Sequence, residues 1–218
     1  MLSARVLDNM TGSAEADVMR AEGLAAQALA AQALAPAPRR ALAHMAKGQV
    51  LRAQRRYAEA IPEYEAVLAA DRNWGFAYYA LGQCKLYTGS IEETIRLVGQ
   101  AIRLSPRDPN LGVFYNNMAY AHLLQSRTDE AITCLERARD YMPAHPMTRA
   151  RLAAAYGLRN ETERAAAELA EARRLSADDR FSSVARLRAS QSWGVPTNRA
   201  LFEATYFRGL RLAGMPEE

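Results

Sequence analysis

The chain has 218 residues, a formal net charge of +4 and a sequence that is half hydrophobic, with only two cysteines. Ala and Leu supply most of the aliphatic content and β-branched residues are few, which favours helix throughout. Cys84 and Cys134 stand 50 residues apart and in no CxxC pair, so the composition excludes a disulfide framework and points to free thiols in a reducing compartment.

Taken in chain order, the first segment from Leu2 to Met10 carries little pattern. A helix is expected from about Ala14 to Leu34, and Pro38 stops it. The apolar run from Gly23 to Ala37 is too short to span a membrane, and Gln27 and Gln32 interrupt it. No charged stretch followed by an apolar one opens the chain, so a cytoplasmic location is expected. Helices then pair near Arg40 to Gln54 with Tyr57 to Ala70, and Trp74 to Tyr87 with Ile91 to Leu104. In the turn between the second two, Gly89 suits a left-handed C-cap, and Ser90 with Glu93 reads as a capping box. A third pair runs to about Gln125 and then from Thr128 to Tyr141. The fourth covers Pro146 to Leu158 and Glu161 to Leu175, with Asn160 in its turn. A short helix near Arg180 to Ala189, a loop at Ser192 to Pro196 and a last helix from about Asn198 to Ala213 complete the reading.

Four of these stretches superpose when slid by 34, 37 and 34 residues from Ala41, Gly75, Gly112 and Pro146. Position 8 then holds Gly48, Gly82, Ala119 and Ala153, and position 20 holds Ala60, Thr94, Ala131 and Ala165. Position 24 holds Tyr64, Val98, Leu135 and Leu169, and position 27 holds Val67, Ala101, Ala138 and Ala172. Two antiparallel helices approach closely only where both carry small side chains, and a bulky residue at position 24 fills the gap beside them. This pattern resembles the tetratricopeptide repeat (TPR), whose period is 34 residues. The implied fold is all-α, a right-handed solenoid of antiparallel helix pairs. Residues 1–40 form an N-terminal helix or half-repeat, with Ala26, Ala30 and Ala33 at positions 20, 24 and 27. Four repeats follow at 41–74, 75–108, 112–145 and 146–177. Residues 178–218 cap the solenoid, the last helix covering its end with Phe202, Tyr206, Gly209, Leu210 and Ala213.

No catalytic motif appears: there is no GxGxxG, Walker loop, GxSxG or HExxH. His44, His122 and His145 have no ligand-spaced Cys, Asp or Glu beside them, so no metal or other cofactor is expected. Of the 28 basic residues 26 are Arg, and in Glu161 to Arg174 they alternate with Glu as on a solvated, ion-paired face. They lack the interleaved aromatics of a nucleic-acid surface. The expected activity is therefore binding. In a TPR array the concave face is made by helix-A positions 2, 5, 9, 12 and 13, which here include Gln49 and Arg52, then Phe76, Tyr79, Gln83 and Tyr87, then Asn116 and Tyr120. That aromatic, amide-rich surface suits a protein or peptide segment. Where TPR domains that grip chaperone carboxylates carry Lys, Asn and Arg, this chain has Met45, Gln49, Val113 and Asn117, so that partner class is disfavoured.

The tail carries a second resemblance. Gly209-Leu210-Arg211-Leu212-Ala213-Gly214-Met215-Pro216-Glu217, after Phe202 and Tyr206-Phe207, resembles the GLRKAGLPE ending of a group of bacterial proteins. These join a class III adenylate or guanylate cyclase domain, or a winged-helix DNA-binding domain, to a C-terminal TPR array. Leu152 to Ser176 is similar to the same group's penultimate segment. The resemblance implies the C-terminal regulatory or sensory part of a cyclase-type signalling protein. Alternatives are a homodimeric scaffold for an attached catalytic domain, or the TPR region of a transcriptional regulator. The cyclase metal-binding aspartates have no counterpart, so the chain itself is not expected to be an enzyme.

Overall fold

The computed structural model describes residues 23–24, 37–190 and 193–218, so most of the expected N-terminal half-repeat, including Ala26, Ala30 and Ala33, lies outside the described residues. Every described element is helical. Four antiparallel pairs stack in order: α1 (Ala37–Ala53) with α2 (Tyr57–Ala70), α3 (Gly75–Tyr87) with α4 (Ile91–Leu104), α5 (Leu111–Leu124) with α6 (Thr128–Tyr141), and α7 (Pro146–Leu158) with α8 (Thr162–Leu175). A short α9 (Val184–Ser190) follows. Then α10 (Pro196–Phe202), a π-helical turn (Glu203–Phe207) and α11 (Arg208–Leu212) run on as one helical segment.

The small positions do what spacing requires of them. A Cβ at Gly82 would stand 2.9 Å from the Val98 side chain, and one at Gly48 2.9 Å from the Tyr64 ring, so position 8 is pressed against position 24. Thr94, fully buried at position 20, donates its hydroxyl to the Gly82 carbonyl at 2.9 Å, which explains why a polar residue is tolerated there. Tyr64, Val98 and Leu135 are fully buried at position 24, and Leu169 is nearly so.

The turn inside each pair is built alike. Position 15 is left-handed in all four repeats: Arg55 (φ 62), Gly89 (φ 97), Ser126 (φ 59) and Asn160 (φ 59). The next amide donates back five residues in every case, Arg56 to Leu51, Ser90 to Lys85, Arg127 to His122 and Glu161 to Tyr156. This is the Schellman closure, which satisfies carbonyls that the helix end leaves open. The Ser90–Glu93 capping box does not form. The Ser90 side chain makes no capping bond, and Glu93 turns to Lys85 Nζ at 3.2 Å. The Ser90 amide, which a box would give to the Glu93 carboxylate, already donates to the Lys85 carbonyl at 2.8 Å, and Ser90 sits at ψ 63, short of the extended geometry a box needs.

The tail covers the end of the array from an unexpected side. A further repeat would lay its first helix against α8. Instead α11 packs chiefly on α7, and α10 with the π turn reaches α5 and α7. The helical cap thus lies along the face made by the first helices of the third and fourth pairs. Its crossing with α7 is made of backbone: a Cβ on Gly209 would be 2.2 Å from the Ala154 carbonyl, and one on Gly157 2.3 Å from the Gly209 carbonyl. The π turn adds the extra residue per turn that lets the consecutive Tyr206 and Phe207 both meet Trp193, at 5.9 and 4.9 Å between ring centres. Thr205 Oγ1 bonds the Leu201 carbonyl at 2.7 Å within the same turn.

The conspicuous tail residues are now accounted for by packing. Gly209 permits the crossing, and Leu210 and Met215 are buried. Gly214 (φ 90) allows Met215 to close a fifth Schellman bond onto Leu210. The Pro216 and Glu217 carbonyls accept from Val184 and Ala185 at 2.9 Å, tying α9 to the end of the chain.

Candidate peptide-binding groove

The eight residues expected on one open surface fall into two settings. Arg52, Phe76, Tyr79 and Gln83 form a single cluster between α1 and α3. The Arg52 guanidinium lies 5.8 Å from the Phe76 ring centre and 5.7 Å from that of Tyr79, and donates to Gln83 Oε1. Gln83 Nε2 in turn donates to the Tyr79 hydroxyl at 3.3 Å. Phe76 and Gln83 stay half-buried beside Gln49, whereas Tyr79 is buried by stacking on Phe114 at 4.7 Å.

Tyr120 is in the other setting. It is 2 % exposed, packed on Phe202 at 4.8 Å and edge-on to Tyr206 at 5.7 Å, with the Arg151 guanidinium 3.8 Å from its ring centre. The tail therefore occupies this part of the face and no partner reaches Tyr120 while it is docked. Asn116, one turn earlier, is 6 % exposed and its Oδ1 has no partner among the described residues. Tyr87 marks the border. Its carbonyl accepts from the Val195 amide at 3.2 Å, the adjacent Leu86 carbonyl accepts from Asn198 Nδ2 at 2.6 Å, and its ring stacks on Tyr57 at 4.6 Å. Gly194, at φ 76, is required where the loop meets α3, since a Cβ there would stand 2.6 Å from the Tyr87 carbonyl.

Tyr57, Arg55 and Arg151 belong to this neighbourhood and were not singled out from sequence. Tyr57 opens a B helix and Arg55 occupies a turn, positions outside the helix-A rule. Arg151 lies on α7, on the side turned to the tail. The periodic signal carries no mark of any of them.

Burial governs the ionisation of the groups around this face. Burial drives the Cys84 thiol up to about 12 and the Cys134 thiol to about 11, so neither is a thiolate near neutral pH. Burial also raises Tyr57, Tyr64 and Tyr120, which stay protonated. Burial alone would lower Arg52, but the Tyr64 and Tyr79 phenols and the Cys84 thiol around it carry its pKa upward, so it is a fixed cation. Among the described residues no group of three His, Cys, Asp or Glu side chains is placed to hold a metal ion, and no helix is long and apolar enough to cross a membrane.

The fold is a tetratricopeptide solenoid. A family model of the tetratricopeptide repeat matches residues 41–73, the α1–α2 pair, while no curated protein sequence matches the chain. Among solved structures, YrrB, described as a TPR protein with an unusual peptide-binding site, is 20% identical over 81% of this chain and 85% of its own, with a TM-score of 0.58. MamA from Desulfovibrio magneticus RS-1 is 17% identical over 88% of this chain and 94% of its own, with a TM-score of 0.57. PilF of Pseudomonas aeruginosa is 16% identical over 91% and 89%, with a TM-score of 0.61. At such identities the likeness establishes the TPR fold alone.

Proposed function

We propose that this chain is a protein-interaction module that takes a peptide or protein segment on the concave face between α1 and α3, using Gln49, Arg52, Phe76, Tyr79, Gln83 and Tyr87. The observation that carries this reading is the chain's own tail. Over α5 and α7 the same face accepts a helical segment, anchored by Phe202 and Tyr206 four residues apart. The α1–α3 stretch of the face keeps Gln49, Phe76, Gln83 and Tyr87 half-buried, with the buried Arg52 and Tyr79 supporting them from beneath. A segment with aromatic or aliphatic anchors one turn apart fits it by the same physics. The peptide-binding site named for YrrB supports the class of activity without locating it here.

Selection of a random-peptide display library on the full chain tests this. Enriched peptides should lose binding to Phe76→Ala and Gln83→Ala and keep it with Tyr141→Ala, which changes an exposed residue of α6. Equal binding to all three variants would sink the groove. On the tail resemblance alone, the module belongs at the end of a cyclase-type signalling protein, and the coding sequence in frame upstream decides between that and a winged-helix regulator.

A further inference from the structure

Arginines on this chain are generally paired when they are shielded from water. Arg139 and Arg149 clamp Glu168 at 2.7 and 2.9 Å, and Arg188 and Arg211 share Glu203 and Glu217 at the tail. The two most buried arginines are exceptions. Arg52 is 5 % exposed and Arg151 7 %, yet neither has a carboxylate partner among the described residues, and the Nε of each is buried without an acceptor. Held by ring faces and, for Arg52, an amide oxygen instead of a counter-charge, these cations keep their net charge, and a low-dielectric setting extends the reach of their field.

The field of both cations reaches the phenol of Tyr87, and Arg55 from the first left-handed turn lines the same cleft as Tyr87. Burial raises the Tyr87 pKa, and Arg151, Arg55 and Arg52 pull it back, with no carboxylate among the causes. Beside Tyr87 opens a cleft of about 300 Å³, lined by Arg55, Arg56, Tyr57, Glu59, Tyr87 and Val195 among others. Its single carboxylate is already neutralised, since Arg56 grips Glu59 through two bonds of 2.7 and 2.6 Å. Arg55 is exposed and makes no ion pair among the described residues.

We propose that this cleft, formed jointly by the Arg55–Glu59 turn and the chain's own tail loop, receives an acidic side chain of the partner segment, its carboxylate on Arg55 and an adjacent apolar side chain on the Tyr57–Tyr87 stack. The buried Arg52 and Arg151 supply the attractive field behind it. This rests on the groove reading above and deepens it: the partner carries an Asp or Glu next to an aromatic or aliphatic residue, placed where the α1–α3 groove meets the tail. An acidic peptide is favoured over a nucleic acid because, among the described residues, the site offers one exposed unpaired cation in a side-chain-sized cleft, whereas a phosphate backbone needs several contacts in a row.

The same display selection, repeated on Arg55→Asn, tests it. Asn keeps the left-handed turn while removing the charge. Peptides enriched on the natural chain should share an Asp or Glu at one register, and that enrichment should vanish on the variant. A synthesised winner should bind about tenfold more weakly when its acid becomes Gln, and the difference should shrink as salt rises from about 50 to about 500 mM. Winners without a common acid, or an enrichment unchanged by Arg55→Asn, overturn the proposal and leave the groove standing. No winners at all bring down both, and tighter binding of a poly-uridine RNA than of the acidic peptide replaces the partner class.

Discussion

Replacing Gly209 by Ala is the sharpest test of where the tail lies. In a free helix this change stabilises, by about 0.5–1 kcal/mol, because Gly carries the larger conformational entropy. In the docked tail the new Cβ would sit 2.2 Å from the Ala154 carbonyl and 2.8 Å from its carbon, where ordinary contact begins at 3.4 Å. The obstacle is backbone on both sides, so no rotamer change relieves it, and α11 must move away from α7 by roughly 1 Å. Overpacking of this kind costs about 1–3 kcal/mol, and the rigid neighbours put it at the upper end. Leu210, Tyr206 and Phe207, each worth about 1.5–3 kcal/mol when buried, lose contact if the tail lets go altogether. The expected net loss of about 3 kcal/mol lowers the melting temperature by about 6–12 °C. Trp193 reports it directly, since it is 6 % exposed, packs on Phe202 and Phe207 and donates its indole N–H to the Arg188 carbonyl at 2.7 Å. In a Trp74→Phe background, G209A should shift the remaining emission to the red at temperatures where the parent is unchanged. Gly157→Ala, on the opposite side of the crossing, should behave alike. A melting temperature held or raised in both variants refutes the close crossing.

Three further outcomes follow from particular contacts. Ser126→Gly relieves a left-handed Ser and should stabilise by up to about 1 kcal/mol, while Gly89→Ala imposes the same strain and costs about 1–2 kcal/mol; thermal melts that ranked them the other way would contradict the shared turn. His145 caps α7 by accepting from the Thr148 amide at 3.3 Å, and burial, then Arg151, hold its pKa down to about 4. Its contribution is complete above the unfolded value near 6.5 and is lost as pH falls towards about 4, a loss of about 3 kcal/mol. His145→Asn, which keeps a capping acceptor, should flatten that acid limb in a pH series of urea melts, and an unchanged limb counts against the assignment. Glu168→Gln leaves Arg139 and Arg149 without their shared counter-charge and should cost about 1–3 kcal/mol, with a double-mutant cycle against Arg149→Gln returning a coupling of similar size. Full additivity in that cycle would show the clamp to be inert.

Much of this molecule is legible in its sequence. The eight paired helices fall where spacing put them, because helix pairing is a local matter: Gly82 faces Val98 and Thr94 within one repeat, and a small residue at each contact leaves little choice. Gly89 and Asn160 announced the left-handed turn through their own chemistry, while Arg55 and Ser126 share that conformation against theirs, so only repeat position could have revealed it. The helix-A rule likewise found the Arg52, Phe76, Tyr79 and Gln83 cluster.

The tail was decided by tertiary structure. An apolar stripe from Phe202 to Ala213 shows that something must be covered, and it fits the end of α8 or the face of α7 equally well on periodicity alone. The choice rests on Gly209 meeting Gly157, and on Asn198 reaching the Leu86 carbonyl more than a hundred residues away, contacts between segments whose patterns carry no reference to each other. Once the tail lies there, Tyr120 passes from binding surface to core and Tyr87 becomes the edge of a new cleft. Local sequence determines which face a side chain takes on its own helix; competition among all exposed apolar faces determines what then covers it.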